Sequence, residues 1–230
     1  MDTPELVVWS AMLGGLATLA AFALVDALIR RSIAAWRAFI FVGLTGTVCI
    51  LLTGLTQTLF PDFPLHLLRV LQTSLGLFSG ALVLVYLRLW MGPMRDDRIV
   101  RWSTGLGIAS LALAGCILAI LTLHSAPEQW HGLLRAAAIV NGLAAVPPAV
   151  ASVRAATLGD RLAWGMVGAT GLLVVMVAGL YARALDVEGL GIVTWTLTAL
   201  STIAFFMVGT YLGLRRDRAN RRLERLAALA

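Results

Sequence analysis

The chain contains no lysine: all 18 of its Lys+Arg residues are arginines. A retinal Schiff base requires a lysine amine, so a rhodopsin is excluded. Cysteine is scarce as well. Cys49 and Cys116 both lie inside apolar runs, which rules out a disulfide framework or zinc ribbon and predicts two small buried side chains. Charged residues make up only 13% of the chain, against about 25% in soluble domains. The 3 histidines all avoid the middle of the apolar runs, so a bundle haem has no axial pair. His124, Glu128 and His131 have i, i+4, i+7 spacing. The intervening SAPEQW holds a proline and reads as a loop, so no metal site is expected. No Ser/His/Asp set or paired carboxylate falls within the apolar runs; no catalytic residue or cofactor is expected.

What is present is hydrophobic: 60% of residues, with a mean hydropathy of +0.89. Seven apolar runs long enough to cross a bilayer cover residues 6–29, 38–60, 67–91, 102–123, 133–158, 162–181 and 192–214. This predicts an all-α integral membrane protein, a seven-helix bundle. The opening MDTPEL is acidic and lacks the positive region of a signal peptide. Arginine gathers in alternate connections: Arg30, Arg31 and Arg37; Arg95, Arg98 and Arg101; Arg154 and Arg161; then the tail. The positive-inside rule places the N-terminus outside and the C-terminus in the cytoplasm. The net charge of +6 is spread over helix ends, which fits membrane orientation and membrane lipids as partners rather than nucleic acid. All seven tryptophans fall near predicted helix ends, the pattern of an interfacial belt.

The last run passes without a turn-forming residue into RRDRANRRLERLAALA. Ala219, Leu223, Leu226 and Ala230 are spaced four, three and four apart, a short a/d seam flanked by charge. The chain therefore divides into a seven-helix region, residues 1–214, and a cytoplasmic coiled-coil-like helix, residues 215–230. The seam suits a homodimer, and the GTYLG motif of Gly209 and Gly213 suits close packing between protomers or inside the bundle. GLFSG, with Gly76 and Gly80, suits close packing either inside the bundle or between protomers. Pro147 and Pro148 remove two backbone donors from the fifth run and predict a kink there, a hinge or a cavity floor.

Polar residues concentrate at the outer edge. His66, Arg69 and Gln72 follow at i, i+3, i+6; His131 and Arg135 lie four apart; Arg183 ends the sixth run. Neighbours on a helix face, these six make a candidate pocket for a small-molecule or lipid-like ligand bearing an anionic group, which bidentate arginine suits. Arginines reaching lipid phosphates, or pairing with Asp186, Glu188 or Glu128, account for the same residues. Asp26 and Arg30 have the spacing of a local ion pair, and Gln57 is polar at membrane depth.

Three stretches carry a resemblance: FIFVGLTGTVCILLTGLTQTLFPDFPLHLLRVLQTSLGLFSGALVLVYLRLWMG, GDRLAWGMVGATGLLVVMVAGLYARALDVEGLGIVTWTLTALSTIAFFMVGTYLGL and the tail. In hydropathy and spacing the chain resembles the membrane region of bacterial seven-helix receptors with diverse intracellular signalling modules, the 7TMR-DISM class. The resemblance implies a non-enzymatic sensory module whose last helix leads to a diguanylate cyclase or histidine kinase output domain. Only about five residues precede the first run, where many such receptors carry an extracellular domain. The alternative is a small-solute transporter or channel, with Asn141, Pro147, Pro148 and Gln57 along its path.

Overall fold

A computed structural model describes residues 2–31, 33–91 and 96–227, with no side-chain account of Ala34, Asp217 or residues 220–227. Leu223 and Leu226 therefore lie outside the described residues as side chains, and Ala230 lies outside them altogether. The described chain is all helix: α1 (Thr3–Arg30), α2 (Ile33–Thr53), α3 (Leu55–Leu59), α4 (Leu65–Trp90), α5 (Arg98–His124), α6 (Trp130–Leu143), α7 (Val146–Thr157), α8 (Arg161–Ala184) and α9 (Ile192–Ala227). They form seven helical segments long and apolar enough to cross a membrane. The chain has the build of a multi-pass membrane protein.

Two of the seven spans are broken, and the residues responsible are local. In the second, Gly54 adopts φ +81°, a left-handed conformation that a side chain resists. The broken turn frees carbonyls from the helical ladder, and each then needs another donor. Thr53 and Thr56 hydroxyls donate to the Ile50 carbonyl, and the Gln72 amide reaches across from α4 to donate to Leu51 at 2.7 Å. In the fifth span the helix stops at Leu143 and restarts at Val146. Pro147 and Pro148 thus sit in the first turn of α7, where a missing N–H costs nothing. The break precedes the prolines.

α4 is the centre of the bundle. Its most apolar window is 56% buried, against 17% for α1 at the periphery. In lipid the hydrophobic effect does not hold helices together; close packing and hydrogen bonds do. α4 accordingly buries hydroxyls: Thr73 bonds Thr122 of α5 at 2.9 Å, and Ser79 bonds Thr45 of α2 at 2.8 Å. Gly76 and Gly80 admit Asn141 of α6 and the Tyr181 hydroxyl of α8 against the α4 backbone. The GLFSG face is thus used within the chain. The outward-facing residues are apolar, Phe22, Ile29 and Val193 among them.

Three tryptophans expected in an interfacial belt are instead buried: Trp9, Trp90 and Trp195. Trp9 and Trp195 pack against each other with ring centroids 6.0 Å apart. Cys49 is buried as expected, whereas Cys116 is exposed on α5. Asp26 and Arg30 form their i, i+4 pair at 2.6 Å.

One end of the bundle is tied by two carboxylates that each cap a helix and bind an arginine from another. Asp97 accepts from the Ile99 and Val100 amides at the start of α5, and from Arg154 of α7 at 3.2 Å. Asp160 accepts from the Leu162 amide at the start of α8, and from Arg216 of α9 at 2.6 Å. The Arg154 hydrogen bond is the main cause holding the Asp97 carboxyl below its ordinary range. Its contribution to stability is complete above the ordinary carboxylate pKa and fades as pH falls through the lowered one. Thermal unfolding followed down in pH is expected to show an acid loss of stability that Asp97→Asn diminishes.

Candidate functional site

A cavity of about 400 Å³ opens at the opposite end. Its walls come from both sides of the Gly54 break, the first turns of α4, the start of α6 and the end of α8. Gln57, Arg69, Gln72, Trp130, Arg183 and Asp186 supply its polar lining. Of the six candidates from sequence, the structure brings Arg69, Gln72 and Arg183 together. His66, His131 and Arg135 are exposed and do not line it. The His131 ring instead leans on Trp130, with centroids 4.5 Å apart. His124, Glu128 and His131 fall on three different elements, α5, a single 3-10 turn (Pro127–Gln129) and α6.

The lining side chains are unequally satisfied. Gln72 has committed an N–H to Leu51. The Arg69 guanidinium lies 5.5 Å from the Trp130 ring centroid, a cation–π contact, and no described carboxylate pairs with it. Arg183 is in ion-pair contact with Glu5 at the start of α1 and, at 3.5 Å, with Asp186, which is 93% exposed. Arg183 Nε lies against the Glu5 carboxylate, off hydrogen-bonding geometry, whereas Trp130 Nε1 is buried with no partner among the described residues. Buried donors are normally matched. Here the orphan is the Trp130 indole N–H, on a residue of the cavity wall.

Glu5 was not legible as a site residue, being one of two acids in a short acidic N-terminal segment. Its carboxylate also accepts the Trp9 indole N–H at 3.2 Å. From Arg183 the contacts therefore run through Glu5 and Trp9 to Trp195, in the first turn of α9.

The other end of α9 is equally engaged. Arg216 Nε donates to the Trp90 carbonyl at 3.0 Å, and one terminal nitrogen donates to Met91 and Asp160. Gly213 is approached by the Tyr86 hydroxyl. Gly209 lines a small internal cavity with Phe41, Phe205 and Phe206, and Ala219 is exposed in the tail. Pro148 lines that cavity and a second one of about 40 Å³, beside Asn141 and Tyr181, whose polar atoms are 3.5 Å apart. Comparison with protein-family models, with curated proteins and with solved structures yields no match for this chain.

Proposed function

We propose that the chain is a membrane sensory module of the 7TMR-DISM kind. In this reading the cavity faces the outside of a bacterial inner membrane and the tail enters the cytoplasm as one half of a homodimer. A signal received at the cavity end is delivered by α9 to an output domain of diguanylate cyclase or histidine kinase type. The observation that carries the reading is the continuity of α9: one helix of 36 residues runs from the first turn at Trp195 through the span and into the arginine-rich tail. A rod without a joint passes on shift and rotation, which a switch between two packings requires. The arginine distribution supports the orientation.

Tail pairing is the testable element. With Cys116 replaced by serine, Ala219→Cys protein in membranes is expected to cross-link as a dimer. Adding Leu223→Asp and Leu226→Asp is expected to cut that product about tenfold, by placing charge in the a/d seam. Equal cross-linking in both proteins rejects the paired tail.

Solute passage is the second reading. It draws on the two broken spans and on Asn141 and Tyr181 beside the break in the fifth, since interrupted helices line the sites of many transporters. Solute uptake by liposomes holding the purified protein, compared with empty ones, separates it from the first.

A further inference from the structure

The cavity end holds a surplus of donors and one movable acceptor. Among the described residues, the Arg69 guanidinium has only the Trp130 face as a partner. The Trp130 indole N–H is buried with no partner among the described residues, and the Arg183 Nε is met by the Glu5 carboxylate. Glu5 and Asp186 lean on Arg183 rather than on Arg69. An acceptor-rich, negatively charged group satisfies these atoms together; a cation or a sugar hydroxyl does not. A volume of about 400 Å³ lies within the range of small-molecule pockets.

Glu5 shows which anion fits. It is a carboxylate, delivered by the chain itself to Arg183, and it belongs to α1, the least buried span. We propose that a small soluble carboxylate binds in this cavity on Arg69 and Arg183 by displacing Glu5, and that the displacement is the signal. When Glu5 leaves Arg183, the acceptor for the Trp9 indole moves with it, and Trp9 packs on Trp195 at the start of α9. The free protein thus carries an internal stand-in for its ligand. The step from displacement to output rests on the sensory reading; the binding itself does not.

Sodium acetate is the probe, titrated against sodium chloride at constant ionic strength, with intrinsic tryptophan fluorescence as the readout. The protein is held in nanodiscs of phosphatidylcholine, and separately in nanodiscs containing phosphatidylglycerol. A saturable change specific to acetate is expected in both lipids. It is expected to be lost in Arg69→Gln and Arg183→Gln, and to occur at about tenfold lower acetate in Glu5→Gln, where the competing charge is gone. Arg69→Lys, which keeps the charge and the fold but not the fork, is expected to bind about tenfold more weakly than wild type. Absence of a saturable response in both wild type and Glu5→Gln overturns the site. A Glu5→Gln midpoint equal to wild type overturns the displacement. Loss of the acetate response only in phosphatidylglycerol assigns the cavity to a lipid headgroup and overturns the soluble ligand. These binding outcomes stand apart from the Ala219→Cys cross-link, which reports on the tail alone.

Discussion

Arg216→Ala protein is expected to unfold well below wild type, at a cost of about 3 kcal/mol, the lower end of the range for stripping one partner from a buried ion pair. Four contacts end at this guanidinium: the Trp90 and Met91 carbonyls, the Asp160 carboxylate and the Trp90 ring 4.7 Å away. The arginine is 16% exposed and Asp160 is 9% exposed. Removing the cation therefore leaves an anion sequestered with, among the described residues, only the Leu162 amide to answer it. It also leaves the last carbonyls of α4 without their donors from α9. Arg216→Lys keeps the charge but cannot reach two carbonyls and a carboxylate at once, so it is expected to recover only part of the loss. Asp160→Asn retains a capping oxygen for α8 and is expected to cost less than Arg216→Ala. Thermal unfolding in detergent micelles ranks the three. If Arg216→Ala melts with wild type, the cluster does not hold α9 to the bundle.

The second large effect is steric. Gly179 of α8 faces Thr198 of α9 so closely that a Cβ on residue 179 overlaps the Thr198 hydroxyl and lies 2.8 Å from its Cβ. Thr198 cannot swing aside freely, being fully packed and bonded to the Thr194 carbonyl at 2.9 Å. Gly179→Ala must push α8 and α9 apart, which forfeits their close contact and costs about 1–3 kcal/mol. Gly179→Val is expected to be worse. Moving the gap to the other helix tests the cause: Gly179→Ala combined with Thr198→Gly restores the fit, and the helix propensities of the exchanged residues roughly cancel. Return of the melting temperature in the double variant, absent from either single one, identifies the clash as the source. A double variant no better than Gly179→Ala rules it out.

The seven spans were legible because length and apolarity suffice to define a bilayer-crossing helix, and the structure departs from that reading mainly inside them. Gly54 gave no warning, since glycine is common in membrane helices and its left-handed turn depends on Gln72, Thr53 and Thr56 meeting the freed carbonyls. The prolines did announce the break in the fifth span, but α7 takes them into its first turn, so the chain gives way before them. Tryptophan misled: Trp9, Trp90 and Trp195 stand at helix ends as a belt does, yet partners on other helices draw them inward. For the cavity, helical spacing found Arg69 and Gln72, and a place at the outer end of the sixth run found Arg183. The same spacing also collected His66, His131 and Arg135, because a local repeat says which residues share a face and not which way that face is turned. Glu5 was out of reach for a different reason. Its partner is 178 positions away (183 − 5), and nothing nearby in sequence marks it.

The interruption at Ala144 and Ala145 divides the work of the fifth span. α6 packs beside α4, α5 and α8, and opens at the cavity; α7 packs beside α5 and α8, and carries Arg154 to Asp97 at the far end. A helix interrupted half-way along is a less faithful shaft than a continuous one. The fifth span is interrupted between its two halves, whereas α9 is one helix over Ile192–Ala227.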